Sequence, residues 1–332
     1  MQSFPTPRPT SNPYIHMLDA ALAETAGVEH LRFDRRTALF GSYDVLQLHW
    51  PETMLGGSTR AKALARRAFA AALAARLAIS PVAVVRTVHN VELPSDVGRW
   101  ERRWLEWIER RADHRIVLNE QTELPSDAAS TLVLHGDYRD WFSRSPERTA
   151  EPWTLAFVGL VRRYKGVEHL LEAFAATAHA APELRLRIAG RPTSADIERE
   201  VRGRAAADER VAVDLRHLSE DDFAVAIRSA IGVVLPYRFM HNSGSVLAAL
   251  SLERPVLVPR TRVNEALAAE VGEGWVTMFD GSLDAEDLRA FAASSMAPPA
   301  RPPDLARRAW HLAGPAHLSA FHRAVARRRP SR

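Results

Sequence analysis

Cysteine is absent from the 332 residues, which excludes a disulfide framework and any thiolate-ligated metal site. No apolar run approaches the roughly 18 residues of a membrane-spanning helix, and the opening MQSFPTPRPTSNPYIHML has no basic stretch leading into an apolar one. A cytoplasmic protein without a membrane span is the expectation. The phosphate signatures GxxxxGK[ST] and GxGxxG are also missing, so neither a Walker loop nor a dinucleotide fingerprint is present. No D-x-D motif occurs to carry a metal onto a diphosphate, and neither a metal nor any other cofactor is expected.

What is present is the balance of a folded chain, 46% hydrophobic and 25% charged. At this length two hydrophobic cores are expected rather than one. The formal charge is only +4, but arginine dominates the cations and the isoelectric point is about 9.8. An anionic partner fits that balance, whether nucleotide, nucleic acid or acidic membrane face. A plain Ala/Arg bias fits it equally. The basic residues are dispersed and no nucleic-acid-binding motif accompanies them, so nucleic acid is not the expected partner.

Short apolar runs alternate with longer amphipathic stretches. YDVLQLHW is followed by a helical pattern over 57–78 and VAVVRTVH by one over 97–111, with HRIVLN and STLVLH after them. Continuous β-rich runs separated by helices predict a parallel sheet covered on both faces. SRSPERTAEPW, residues 143–153, has linker composition. The alternation then restarts with WTLAFVGL, LRLRIAG, RVAVDL, IGVVLPY and PVLVPR, separated by helical patterns over 166–179, 193–206, 219–229 and 243–252.

The fold class read from this is α/β, with two Rossmann-like doubly wound domains, 1–148 and 149–312, facing a central cleft. The tail LARRAWHLAGPAHLSAFHRAVARRR predicts one or two helices interrupted at Gly314-Pro315, crossing the domain junction, with 313–332 packing back on the first domain. AKALARRAFAAALAARLAI predicts a crossover helix whose Ala/Arg face would also suit an anionic membrane surface.

In a doubly wound sheet ligands gather at the carboxyl ends of the strands, where helix N-termini present free N–H groups and partial positive charge. The stretch AFVGLVRRYKGVEHLLEAF places Arg162, Arg163 and Lys165 in one such turn. A diphosphate suits it, although a solvated basic turn would read the same. A second turn follows IGVVLPY, where Ser243, Gly244 and Ser245 open a helix with hydroxyls and a residue that lets backbone approach a phosphate closely.

In order along the chain, FVGLVRRYKGVEHLLEAF, LRLRIAGRP, RVAVDLRHLSEDDF and VVLPYR…NSGSVLAALSLERPVLVP resemble the nucleotide-sugar half of GT-B glycosyltransferases. The resemblance spans most of 151–280 and is weaker over 1–150. It implies a donor domain on the C-terminal side and an acceptor domain on the N-terminal side. It also implies that Arg162, Lys165, Ser243, Gly244 and Ser245 hold the donor diphosphate, with Gly190, Arg191 and Tyr237 beside the nucleotide. The large retaining branch carries arginine directly after the glycine and two glutamates spaced E-x7-E at the later turn. Here Leu160 follows Gly159, and His241 or Met240 with Ala249 or Ala248 stand at the acid positions. With LHWPE and LHGDYRDWF added, the later turn is similar to that of inverting bacterial β-mannosyltransferases of exopolysaccharide assembly, the xanthan-type GDP-mannose:glycolipid 4-β-mannosyltransferases.

Inversion needs a base for the acceptor hydroxyl's proton and cations for the departing nucleoside diphosphate. Glu52 and His89 rank first as the base, because both follow apolar strands; Glu92 is a further candidate in the same stretch as His89. His89 also stands where GT-B enzymes often place a histidine that touches the donor sugar or its phosphate. Candidate contacts to acceptor or sugar are Asn12, His16, His49, Trp50, Asn90, Asp137 and Tyr138, with Asn12 and Pro13 opening a helix and the rings of Trp50, Tyr138 and Trp141 able to stack on a sugar.

The resemblance implies metal-independent, inverting transfer of a hexose, mannose preferred, from a nucleoside-diphosphate sugar to a saccharide or polyprenyl-linked saccharide. The protein would be cytoplasmic, with peripheral contact at the inner membrane face. Two alternatives also fit the missing acids: a retaining transferase with substituted acids, and a non-catalytic nucleotide-sugar-binding partner subunit.

Overall fold

The apolar runs form parallel strands and the amphipathic stretches between them form helices. A computed structural model describes residues 1–55, 59–90, 97–238, 240–297 and 299–329. By contact the chain divides into two units, Met1–Gly136 together with the segment from Arg308 onward, and Asp137–Arg307. Linker composition had suggested a boundary at 148, but residues 137–147 are tied to the second unit. The Tyr138 N–H donates to Ser251 Oγ, Phe142 stacks on Phe223, and Arg228 donates to the carbonyls of Ser145 and Pro146.

The first unit contains α1 (Pro13–Ala23), α2 (Arg35–Phe40), β1 (Val45–Leu48), α3 (Arg60–Ile79), β2 (Ala83–Val88), α4 (Arg99–Arg111), β3 (His114–Val117) and β4 (Ser130–Leu132). Its strands lie in chain order, β1-β2-β3-β4, all parallel. Both faces are apolar because alternate residues point to opposite sides. Leu46, Leu48 and Val84 pack with Leu73 and Leu77 of α3 and Leu105 and Ile108 of α4, while Val45, Ala83, Val85 and Ile116 pack with Ala313, Ala320 and Ala324.

The second unit contains β5 (Thr154–Val158), α5 (Val167–Ala175), β6 (Arg185–Ala189), α6 (Ala195–Ala205), β7 (Val211–Asp214), α7 (Glu220–Arg228), β8 (Gly232–Val234), α8 (Gly244–Ser251), β9 (Val256–Pro259), α9 (Arg262–Val271), β10 (Val276–Phe279) and α10 (Ala285–Ser295). The strand order is β10-β9-β8-β5-β6-β7. The chain winds one way from β5 to β7 and the other way from β8 to β10, so the switch point lies between β5 and β8. That is where a doubly wound sheet takes its ligand.

The chain then returns to the first unit as α11 (Trp310–Arg328), a single helix rather than one interrupted at Gly314-Pro315. Proline there removes one backbone bond, at a cost of about 3 kcal/mol in a helix interior. Burial of Ala313, His317, Ala320 and Ala324 against the sheet and α1 offsets it. Gly314 allows that approach: a Cβ on it would lie 1.9 Å from Thr25 Oγ1.

Candidate functional site

In the second unit, the loop after β5 carries the cations. Arg162 is extended and exposed, Arg163–Lys165 make one short turn, and Gly166 at φ 68° turns the chain into α5. Arg163, solvent-facing, pairs with Glu168 and Glu200 and is spent on surface contacts. Lys165 is different. It is 8% exposed, its Nζ lies 4.8 Å from the centroid of the Tyr237 ring, and burial lowers its pKa to about 8. Among the described residues, the neighbouring groups that act on it are Tyr164, which raises the value, and the Arg162 guanidinium, which lowers it.

This desolvated ammonium has no carboxylate partner among the described residues, an arrangement that suits an anion. Gly159, at φ 123°, sits beneath it: a Cβ there would lie 3.5 Å from Lys165 Nζ and 3.6 Å from Ser245 Oγ. Lysine ammonium and serine hydroxyl therefore converge over one bare point of backbone. Ser243 caps α8, accepting from the Val246 N–H, and the first N–H groups of the helix sit beside them. The Tyr237 hydroxyl is buried beside Ser245; burial pushes its pKa up and the Ser245 side chain opposes that.

The β6 turn joins the same edge of the sheet. The Gly159 N–H donates to the Ala189 carbonyl and the Val161 N–H to the Arg191 carbonyl, while the Arg191 side chain is exposed. Gly190 at φ 139° touches the first turn so closely that a Cβ would lie 1.9 Å from the Gly159 carbonyl oxygen. Gly190→Ala should therefore push the Gly159 turn aside and destabilise the protein by about 2 kcal/mol or more. The urea midpoint checks it, with Gly203→Ala as the control. Gly203 lies in α6 with open space where its Cβ would stand, so there alanine should be neutral or stabilising.

Of the residues that align with the acids of a retaining relative, Met240 is 9% exposed, Ala248 4% and Ala249 0%. His241 is half-buried, and burial lowers its pKa.

In the first unit the candidate residues gather at the carboxyl ends of β1 and β2. Asn12 caps α1 by accepting from the Tyr14 N–H, with Pro13 in the first turn, and this start aims Tyr14 inward. Tyr14 is the hub of a ring cluster that its sequence context does not mark. Its ring centroid lies 5.2 Å from His89, 4.9 Å from His135, 6.2 Å from His49 and 5.5 Å from Trp310. Trp50 stacks on His89 at 3.9 Å and 20°. His89 Nε2 lies 3.2 Å from His49 Nδ1, and His49 Nε2 lies 2.9 Å from Gln2 Oε1. Burial drives the pKa of both histidines well below the usual imidazole value, and the Arg86 guanidinium adds to it.

Within this cluster His49 is 1% exposed and bonds the His89 ring. Other candidates fall outside it. Glu52 is half-buried in a short turn over Pro51–Met54. The His16 ring bonds the Arg8 carbonyl, and Asn90 is exposed. Asp137 and Tyr138 belong to the second unit: the Asp137 carboxylate accepts from the Arg139 N–H, and Tyr138 is buried core. Glu92 lies outside the described residues. Among the described residues no group of three histidine or acidic side chains is placed to hold a metal.

The family described as "Glycosyl transferases group 1" matches residues 152–294. Among solved structures, AviGT4, a glycosyltransferase involved in avilamycin A biosynthesis, aligns over 98% of this chain and 97% of its own, with TM-score 0.56 and 15% identity. HepE of Anabaena, in complex with UDP and glucose, aligns over 86% and 76%, with TM-score 0.54 and 13% identity. Sucrose-phosphate synthase of Thermosynechococcus elongatus aligns over 91% and 79%, with TM-score 0.54 and 14% identity. The fold is that of GT-B glycosyltransferases. At 39% identity over 320 residues, 96% of this chain and 90% of the relative, the chain belongs to the family of the GDP-mannose:glycolipid 4-β-D-mannosyltransferase of Xanthomonas campestris pv. campestris.

Proposed function

We propose that the protein transfers mannose from GDP-mannose to a saccharide, carried on a lipid, with inversion and without a metal. The donor and acceptor classes rest on the family relationship across 96% of the chain. The observation that supports the chemistry is the buried Lys165 ammonium meeting Ser245 Oγ over Gly159. There it would hold the diphosphate and stabilise it as it leaves, with Arg162 and the α8 N–H groups beside it. No metal step is needed in this scheme, since the cations and the helix terminus carry the charge. Inversion is favoured over the retaining alternative because His241 or Met240, with Ala249 or Ala248, stand at the acid positions.

His89 is the group proposed to meet the reacting sugar and to take the acceptor's proton. A neutral, desolvated imidazole is suited to that work. Peripheral contact with the inner membrane face is part of the proposal, since a lipid-carried acceptor lies there; among the described residues no helix is long and apolar enough to cross a membrane.

The test is a melting and turnover screen against GDP-mannose, GDP, UDP-glucose, UDP-glucuronate and UDP, with and without chelator. GDP and GDP-mannose should raise the melting temperature equally in both conditions, and the product should carry a β-linkage. Stabilisation by UDP compounds alone would overturn the donor, loss of activity in chelator the metal independence, and an α-linked product the inverting mechanism.

A further inference from the structure

Behind His89 runs a buried chain of hydrogen bonds. His89 Nε2 meets His49 Nδ1 at 3.2 Å, and His49 Nε2 meets Gln2 Oε1 at 2.9 Å. Gln2 Nε2 donates to Gln47 Oε1 at 2.7 Å, and Gln47 Nε2 donates to Thr87 Oγ1 at 2.8 Å. All five side chains are buried, none more than 7% exposed. The backbone around them is pinned by Arg86, whose guanidinium donates to the carbonyls of His49 and Thr87 and pairs with Glu109. Gln2 and Gln47 are neighbours because the first residues bridge to β1 in parallel register.

The chain has a direction. An amide oxygen cannot donate, so His49 must carry its proton on Nε2 to bond Gln2 Oε1. A neutral imidazole has one N–H, so His49 Nδ1 is an acceptor, and His89 must present its own proton on Nε2. His89 Nδ1 is then the nitrogen with the lone pair. Burial, with the Arg86 charge adding to it, keeps both rings neutral, which makes the choice of tautomer meaningful.

We propose that His49 and Gln2 are positioning residues that fix the tautomer of His89, holding its proton on Nε2 and its lone pair on Nδ1. The functional consequence rests on the reading of His89 as the group that meets the reacting sugar. A ring held in one tautomer by a second-layer partner needs no proton rearrangement before it acts.

The experiment records long-range 1H–15N spectra of the full chain labelled with 15N-histidine, with His89 assigned from His89→Gln. Wild type should show His89 protonated on Nε2. In Gln2→Met, close in volume but without the acceptor, and in His49→Leu, the His89 tautomer should become mixed or reverse. In the same two variants kcat should fall at least tenfold, while the KM for the sugar donor stays unchanged. His49→Asn, whose Oδ1 can stand where Nδ1 stood, should keep the tautomer and recover most of kcat. Protonation of wild-type His89 on Nδ1, or the same tautomer in Gln2→Met and His49→Leu as in wild type, would overturn the proposal. If the tautomer moves as expected but His89→Gln leaves turnover unchanged, the positioning stands and the role given to His89 under the proposed function falls instead.

Discussion

Lys165→Met should lower kcat by about a hundredfold or more while leaving the fold intact and no less stable. Two effects of opposite sign meet at this residue. Burial lowers the pKa of Lys165 to about 8 from 10.5, so the folded protein tolerates the charge poorly, by about 3 kcal/mol at about 1.4 kcal/mol per unit. Methionine keeps the stem beneath the Tyr237 ring and removes the charge, so its melting temperature should match or exceed that of wild type. Under the proposed function, a bound diphosphate would offset the cost of holding the ammonium there.

The same balance sets a pH dependence for nucleotide binding. Below about pH 8 the free protein already carries the charge. Above it a proton must be taken up with the anion, so affinity for GDP should fall as pH rises, toward tenfold per unit. Calorimetric titration in buffers of different ionisation enthalpy would read that proton directly. Unchanged turnover in Lys165→Met, or a flat affinity profile between pH 7 and 9.5, removes this turn from the mechanism.

The second large effect is loss of stability in mild acid. His49, His89, His135 and His317 are buried in the first unit, and burial lowers all four pKa values, to about 4 for His135 and His317. Unfolded histidine protonates near 6.5. Between those values the unfolded chain binds more protons than the folded one, so stability rises with pH and is lost as pH falls from 6.5 toward 4. His135 and His317 alone account for about 3 kcal/mol each at the bottom of that window. Typical domains have about 5–15 kcal/mol in all, so urea midpoints should drop steeply between pH 6.5 and 5. Paired carboxylates such as Asp19, whose pKa is lowered below 3.8 by the side-chain bonds of Arg32 and His30, add their loss only at lower pH. A midpoint that does not move between pH 6.5 and 5 would mean these rings are not buried neutral.

The sheets were legible because strands buried on both faces appear as unbroken apolar runs, as LAFV and VVL do. The basic turn between β5 and α5 was legible because glycines and cations sit within eight residues of one another, Gly159 to Gly166. The ring cluster was not. Gln2, Tyr14, His49, His89, His135 and Trp310 come from separate segments, and nothing local distinguishes Tyr14 on α1 from an ordinary core aromatic. His49 and His89 stand out as strand-end histidines, but neither segment reveals their burial or the bond between them. Asp137 and Tyr138 were misplaced because Ser, Pro and charge at 143–153 mark an exposed loop, which here comes after the chain has already joined the second unit.

The return of α11 to the first unit means that this unit is encoded in two pieces, with Asp137–Arg307 inserted between them. During synthesis, β1, β2 and β3 emerge early, yet the face formed by Val45, Val85 and Ile116 has no cover until Ala313, Ala320 and Ala324 leave the ribosome. The second unit is contiguous and can close first, even though it begins later. Assembly order therefore runs against chain order, and the early sheet must wait through about ten seconds or more of translation with an apolar face uncovered. Such a face is where a chaperone would bind the nascent chain, and where slowed elongation before α11 would be felt as aggregation rather than as lost activity.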